Sequence, residues 1–278
     1  ILFLGGLFLY KTKHMDLAGI ISCAGVFSVF FGFMYGSFFG FEDVLKAIWL
    51  KPMNQMMDVP LVGRLNAVFV IAIGFGMFII LICMIFNIIN SLRNKDTEKA
   101  WFDSNAVAGL VFYGSIVLTV GLFISGKKLP ATAVLVVMFG VPLLLMFLKE
   151  PLTNLVEKKS EIFPEQKGMF FVQSFFELFE VLLSYLSNTL SFLRIGAFAV
   201  SHAAMMEVVL MLAGATNGGS PNWIVVVLGN IFVCAMEGLI VGIQVLRLEY
   251  YEIFSRFYAG NGREFQPFMK TLRKSVQK

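Results

Sequence analysis

The sequence has 278 residues, of which 58% are hydrophobic and only 14% are charged, and its mean hydropathy is +0.81. Soluble domains carry about 25% charged residues, so this composition excludes an ordinary soluble fold. The net charge of +4 does not indicate nucleic-acid binding, because the Lys and Arg residues flank the apolar runs. Runs of about twenty apolar residues suit helices that cross a bilayer and are too long for barrel strands. We therefore predict an all-α polytopic membrane protein.

Seven apolar segments follow one another along the chain, and they predict about seven transmembrane helices. They lie at residues 1–10, 17–40, 65–90, 105–125, 129–148, 169–213 and 222–258. The first is too short to span a bilayer and begins without an initiator Met, so we expect a longer protein with eight helices in the full membrane domain. The last two would form helices of about 68 and 55 Å, so we expect both to be strongly tilted.

The Lys and Arg residues outside the apolar segments predict the orientation of the chain. Fifteen of them fall on the side that carries the C-terminus, and five fall on the other side. Positive residues favour the cytoplasmic side of a membrane. We therefore expect a multi-pass protein of the cell membrane whose C-terminus is cytoplasmic.

Polar side chains recur at helical spacing in the two longest apolar segments. In residues 169–213 the steps are mostly three and four residues, which keeps these side chains on one helix face. They are Gln173, Glu177, Glu180, Ser184, Ser187, Asn188, Ser191 and Arg194, followed by Ser201 and His202. The polar residues of the last segment, the first three of them seven residues apart, are Asn230, Glu237, Gln244, Arg247, Tyr251, Glu252 and Ser255.

Charged residues inside membrane helices are costly and therefore indicate function. A charge at the bilayer centre costs at least about 2.5–3.5 kcal/mol, so these residues face protein or water rather than lipid. Successive hydroxyl and amide groups are what line a hydrated pathway, and we interpret the two polar stripes as its walls. The residues alone leave one structural alternative open, in which the charges form ion pairs that only hold the two helices together.

Three motifs near the C-terminus resemble one known family. Residues 184–203 read SYLSNTLSFLRIGAFAVSHA, residues 236–252 read MEGLIVGIQVLRLEYYE, and residues 257–268 read FYAGNGREFQPF. In this order they resemble the last two membrane helices and the closing motif of subunit a (subunit I) of the V/A-type rotary ATPases. The pattern is typical of a bacterial or archaeal member, and the earlier segments agree with the family only in number and hydrophobicity.

The resemblance implies a role for each charged residue of the two stripes. Arg194 matches the essential arginine that faces the rotor ring, and Arg247 matches a second arginine on the neighbouring helix. Glu180 matches the acidic residue of the cytoplasmic half-channel, and Glu237 matches the acidic residue of the other half-pathway. His202 matches a histidine eight residues beyond the essential arginine.

Uncharged polar residues complete the ion pathway that the resemblance implies. Ser184 and Asn188 stand where eukaryotic relatives carry Asn and His, and Gln244 stands where they carry His. These departures keep the lining polar but weaken the expectation of a proton relay by histidine. Ser187 and Ser191 lie on the same face and are predicted to belong to the lining.

The function that the resemblance implies is that of a stator subunit with two aqueous half-channels. They would pass Na⁺ or H⁺ to and from a proteolipid ring, coupled to ATP hydrolysis or synthesis on other subunits. The expected partners are the proteolipid c/K ring, peripheral-stalk subunits through a preceding soluble N-terminal domain, a central-stalk d/C-type subunit and lipid. No catalytic residue, cofactor, resident metal or nucleic acid is expected in this chain.

The resemblance also divides the chain into three parts. Residues 1–168 would support the stator, residues 169–258 would form the two ion-channel helices, and residues 259–278 would form a cytoplasmic tail. Within the first part, residues 149–168 are predicted to be a cytoplasmic loop.

Two other functions are compatible with a charged membrane helix pair. A secondary transporter could bind an anionic substrate through Arg194 and Arg247. Such folds usually show inverted repeats and helices broken near the midplane, whereas this sequence shows no internal repeat and no proline in its two longest segments. The third possibility is a membrane anchor for a soluble assembly, which would not transport ions.

Overall fold

The architecture is helical, with one small β-hairpin between the second and third helices. The computed structural model describes residues 2–14, 16–36, 41, 48, 56–59, 63–94, 100–128, 130–156, 167–215, 221–258 and 260. In chain order the elements are α1 (Leu2–Lys13), α2 (Asp16–Tyr35), β1 (Met56–Val59), β2 (Gly63–Asn66), α3 (Ala67–Arg93), α4 (Val107–Ile124), α5 (Thr132–Phe147), α6 (Lys149–Val156), α7 (Lys167–Ser191), α8 (Leu193–Leu212), α9 (Trp223–Leu248), a π-helix (Glu249–Phe254) and α10 (Ser255–Phe257).

Five helical segments in the described part of the chain are long and apolar enough to cross a membrane. They are Asp16–Tyr35, Ala67–Arg93, Val107–Ile124, Gly168–Leu212 and Trp223–Phe257. A sixth span results if α5 and α6 are taken together, whereas α1 has 12 residues and is too short. The predicted class of all-α polytopic membrane protein is confirmed. The count of seven or eight helices and the tilt of the last two stay predictions.

The core lies where α3, α4 and α7 pack together. Ile80 and Met84 of α3 are fully buried, Tyr113 of α4 is 1% exposed, and Phe192, between α7 and α8, is fully buried. Most of the apolar surface elsewhere is open. In the apolar stretch of Trp223–Phe257 only 11% of the residues are buried. A helix surface that is both apolar and exposed is expected where lipid or another membrane subunit covers it.

Residues 169–213 form one long helical segment with an irregular turn at Phe192. The predicted length is confirmed, because Gly168–Leu212 is a helical segment of 45 residues. At the turn, the amide of Phe192 donates to the carbonyl of Thr189 at 3.3 Å, three residues back instead of four. The polar spacing of the sequence does not reveal this turn, because the side chains on both sides of it keep the helical period.

The last long segment contains a π-helix where the sequence predicts an uninterrupted α-helix. Between Glu249 and Phe254 the backbone hydrogen bonds join residues five apart, and the amide of Ser255 still donates to the carbonyl of Tyr250. A π-turn therefore holds one residue more than an α-turn. The prediction of a regular helix is wrong here, and the side chains beyond Leu248 are rotated relative to the seven-residue spacing of the stripe.

The predicted loop at residues 149–168 and the stretch before α3 both contain regular structure. Residues 149–156 form α6, whose axis is bent by 73° from that of α5 at Leu148, so the prediction of a loop is wrong for this half of residues 149–168. Pro151 lies in the first turn of α6, where a missing N–H breaks no hydrogen bond. Before α3, strands β1 and β2 pair antiparallel, and the Asn66 side chain caps α3 by accepting from the Val68 amide at 3.0 Å. Residues 157–166 and the tail 259–278, except Gly260, lie outside the described residues.

Candidate functional site

The two long helical segments that carry the polar stripes are held together by small residues. A Cβ atom at Gly196 of α8 would lie 2.9 Å from the Phe69 ring of α3, so only glycine permits this contact. At Gly229 of α9 a Cβ atom would collide with Val209 of α8 in the same way. Close backbone approach through small residues is the usual packing device of membrane helices. It fixes α8 between α3 and α9.

A polar cavity lies beside the first half of the stripe. Its volume is about 100 Å³. The two stripe residues in its wall are Ser184 and Asn188, whose side chains contact each other at 3.3 Å. The other lining residues come from α7 itself and from two further regions of the chain and are mostly polar, namely Ser104, Asn105, Val181, Tyr185, Ser255 and Arg256. A cavity with this many donors and acceptors can hold several water molecules.

Arg256 forms the inner wall of this cavity and is a buried cation. It is only 7% exposed. Its Nη1 donates to Asn105 Oδ1 at 2.8 Å, its Nε donates to the Glu252 carbonyl at 3.2 Å, and its guanidinium lies 5.9 Å from the centre of the Tyr185 ring. In the sequence, Arg256 is one of the fifteen basic residues on the side of the C-terminus, and no motif marks it as a site residue. Its role depends on Asn105, 151 positions away, so no local pattern indicates it.

Arg194 stands at the start of α8, next to a buried carboxylate. Its Nη2 donates to the Ser191 hydroxyl at 3.4 Å, and that hydroxyl donates to Oε1 of Glu252 on the π-helix. Glu252 is 6% exposed. Arg194 and Ser191, both predicted, are thus joined to an acidic residue that the prediction did not include among the site residues.

Glu252 lies in the π-helix, and its side chain is buried. The stripe positions Glu237 and Gln244 are seven residues apart, and the next position in that register is Tyr251. Tyr251 is instead 69% exposed, and its neighbour Glu252 is buried. The additional residue in the π-turn moves the inward face from one residue to the next. Glu252 stands among the polar residues of the last segment, together with the acidic residues Glu237 and Glu249, but it was not predicted as a site residue.

The second half of the stripe contains a direct contact between the two long helices. Nδ1 of His202 on α8 lies 2.5 Å from Oε2 of Glu237 on α9. The Glu237 side chain is 15% exposed and that of His202 is 48% exposed. The structure therefore brings together these two predicted residues, which are 35 positions apart.

Four predicted residues remain outside these contacts. Glu180, Ser187 and Arg247 are exposed and Gln244 is partly buried, and no hydrogen bond of their side chains occurs among the described residues. Glu177 behaves differently, because it pairs with Lys149 of α6 at 2.9 Å and accepts from Gln173 at 3.0 Å. Glu177 therefore joins α7 to α6 through an ion pair.

Polar groups follow each other along the axis of α7 and α8. At 1.5 Å per residue, Asn188 lies about 9 Å before Arg194 and His202 lies about 12 Å after it. The order along the helix is a polar cavity, a cation with a carboxylate nearby, and a histidine–carboxylate pair. Among the described residues no group of three or more His, Cys, Asp or Glu side chains could hold a metal ion. The fold and the site define a multi-pass helical membrane protein with a charged polar track on its longest helices.

Comparison with known proteins agrees with the motifs. Residues 149–270 match the model of the V-type ATPase 116kDa subunit family. The A-type ATP synthase subunit I of Saccharolobus solfataricus is 42% identical over 100 residues, which cover 33% of this chain and 14% of that protein. The protein of the same name in Pyrococcus horikoshii is 25% identical over 272 residues, or 93% of this chain and 37% of that protein.

A human relative extends the similarity to a V-type proton ATPase. The V-type proton ATPase 116 kDa subunit a 3 is 31% identical over 125 residues, or 40% of this chain and 15% of that protein. These matches confirm the resemblance seen in the C-terminal motifs: the chain is related to the a and I subunits of the V/A-type rotary ATPases. The chain spans between 14% and 37% of the length of the three relatives.

Proposed function

We propose that this chain is the membrane part of a stator a-subunit in a V/A-type rotary ATPase. It forms two aqueous half-channels that pass Na⁺ or H⁺ to and from a proteolipid ring, and other subunits couple this flow to ATP hydrolysis or synthesis. The family relationship supports the assembly, and the polar track supports the pathway. The observation that carries the proposal is the position of Arg194 between two separate polar clusters on one apolar helix.

The two clusters are candidates for the two half-channels. The cavity beside Ser184 and Asn188 would connect with the cytoplasmic side, and the His202–Glu237 pair would belong to the pathway from the other side. Arg194 lies about 9 to 12 Å from both along the helix axis. An ion entering by one cluster would therefore meet a fixed cation before it could reach the other.

A fixed cation at this point performs two tasks. It attracts an empty ring carboxylate, by about 4 kcal/mol at 4 Å and an effective dielectric constant near 20, which favours release of the carried ion. It also repels free cations and so prevents a leak between the half-channels. Arginine suits this position because its guanidinium stays protonated, whereas a lysine can lose its proton in a dry site.

The exposed surface of the last helix is the proposed contact with the ring. Arg247 is exposed on α9, and α9 to α10 form the least buried of the candidate spans. Such a surface needs another apolar partner, and a ring of membrane helices satisfies this need. Peripheral-stalk subunits, reached through an N-terminal soluble domain, and a central-stalk subunit complete the proposed set of partners. The C-terminus is proposed to be cytoplasmic.

The test replaces Arg194 in the full-length subunit of the assembled ATPase in membrane vesicles. We expect Arg194→Gln to abolish ATP-driven uptake of ²²Na⁺ or H⁺, because the empty ring carboxylate loses a partner worth about 4 kcal/mol. We expect Arg194→Lys to reduce uptake about 100-fold, because a lysine can lose its proton in a dry site. ATP hydrolysis by the soluble sector and subunit assembly serve as controls, together with Arg93→Gln at the exposed end of α3. Normal uptake by assembled Arg194→Gln complexes would refute the proposal.

A further inference from the structure

Arg194 and Glu252 contact the same hydroxyl group from opposite sides. Ser191 accepts a hydrogen bond from Arg194 Nη2 and donates one to Glu252 Oε1. A serine hydroxyl has one donor and two acceptor sites, so it can serve both partners at once. The three residues therefore form a continuous bridge from a cation to a carboxylate, across the gap between the start of α8 and the π-helix.

Each end of this bridge also has an atom without a partner. Nη1 of Arg194 and Oε2 of Glu252 are buried and form no hydrogen bond among the described residues. A buried charged group that is incompletely paired is costly, and it is stabilised by any opposite charge that can approach. Among the described residues, Arg194 and Glu252 therefore each keep one polar atom that can still bind another group.

We propose that Glu252 is a positioning residue for Arg194 and acts through Ser191. It holds the guanidinium at the start of α8 and serves as its counter-charge in the intervals when no ring carboxylate faces it. This inference rests on the proposed function, since it assumes that Arg194 meets carboxylates of a rotor. Glu252 belongs to the polar residues of the last segment and ends the second motif, but no role at the site was predicted for it.

The loose geometry of the bridge suits an exchange of partners. The bond from Arg194 to Ser191 is 3.4 Å long, and Nη1 remains free within the described structure. Because a guanidinium carries five donors in a rigid fork, Arg194 can keep its contact with Ser191 while it pairs with a passing carboxylate. The neighbouring Glu252 then limits how strongly Arg194 binds the ring, so the carboxylate can leave again.

The test compares Glu252→Gln, Ser191→Ala and the double variant in the assembled full-length complex. Glutamine keeps the volume and the acceptor for Ser191 but removes the charge. We expect each single variant to lower ATP-driven ion uptake about tenfold, and the double variant to be no worse than either, because the two act through one contact. The thermal midpoint of the purified complex should stay unchanged in Glu252→Gln, whereas a purely structural role of Glu252 would lower it.

The matched control is Glu249→Gln, an exposed acidic residue of the same π-helix, for which uptake should stay within about twofold of the unmodified complex. Normal uptake in Glu252→Gln, or additive losses in the double variant, would overturn the positioning role. If Glu252→Gln prevents assembly, ion uptake by the Ser191→Ala complex decides instead, and normal uptake there would overturn the positioning role. If Arg194→Gln abolishes uptake while Glu252→Gln does not, only the positioning role fails and the proposed function stands.

Discussion

Buried charges on the last two helices form hydrogen bonds with neighbours that come from distant parts of the chain. Glu252 meets Ser191 and, through it, Arg194, while Arg256 meets Asn105 and the face of Tyr185. Removing a hydrogen-bond partner of such a group leaves a buried polar atom unsatisfied, which costs more than the net stabilisation by that hydrogen bond. The polar track is therefore a cooperative set of residues, in which the effect of one substitution depends on the others.

The His202–Glu237 pair allows a residue-scale prediction that separates transport from structure. We expect His202→Ala and Glu237→Gln each to lower ATP-driven ion uptake about fivefold, with no further loss in the double variant, because the side chains act as one contact. The measurement is a double-mutant cycle on uptake, with thermal unfolding recorded in parallel.

The control for that cycle is Glu207→Gln, an exposed residue on the same helix, which should change neither quantity. A cycle in which unfolding changes but uptake does not would mean that the pair only joins α8 to α9. That outcome would favour the structural alternative that the sequence left open.

At the scale of elements, the turn between α7 and α8 depends on one glycine of α3. A Cβ atom at Gly76 would overlap the ring of Phe192, which is fully buried. Phe192 separates Ser191 from the helix that begins just before Arg194. The packing of α3 therefore sets the position of the guanidinium through a single aromatic ring.

This contact predicts different effects for two glycines of α3 that lie two residues apart. Gly76→Ala should destabilise the protein by about 1–3 kcal/mol, because overpacking forces the ring to move. Gly74→Ala should have no such effect, because nothing lies within 4 Å of a Cβ atom there. Thermal unfolding of the two purified variants checks the difference, and equal midpoints would contradict the packing of Phe192 against α3.

The π-helix is the second element that determines the site. Leu248, Glu252 and Arg256, four residues apart, are all buried, and the π-helix lies between the first and the last of them. Arg256, in the turn after the π-helix, donates to Asn105. The two buried charged side chains of this end of the segment therefore lie in and directly after the π-helix.

At the scale of the whole molecule, the orientation in the membrane can be tested at both ends of the last helical segment. Trp223 and Tyr258 are 62% and 70% exposed, and about 50 Å of helix separates them, more than the bilayer core. In a background without native cysteines, an impermeant maleimide should label Tyr258→Cys from the cytoplasmic side and Trp223→Cys from the other side only. The opposite labelling would reverse the proposed topology.

The sequence by itself determined the class of the protein and most of the track. Apolar runs report directly on the solvent around a helix, and the period of three to four residues places Ser184, Asn188, Ser191 and Arg194 on one face. The motifs identified the family without a structure. These signals depend only on residues that lie close together in the sequence, so they can be recognised without a structure.

Only the tertiary structure decided which residues meet. The contacts of Arg256 with Asn105, of Glu252 with Ser191 and of His202 with Glu237 join positions 151, 61 and 35 residues apart. The turn at Phe192 and the π-helix depend on packing against other helices, so a regular period cannot predict them. Spacing along a chain states which face a side chain occupies, whereas close packing between helices decides what that face touches.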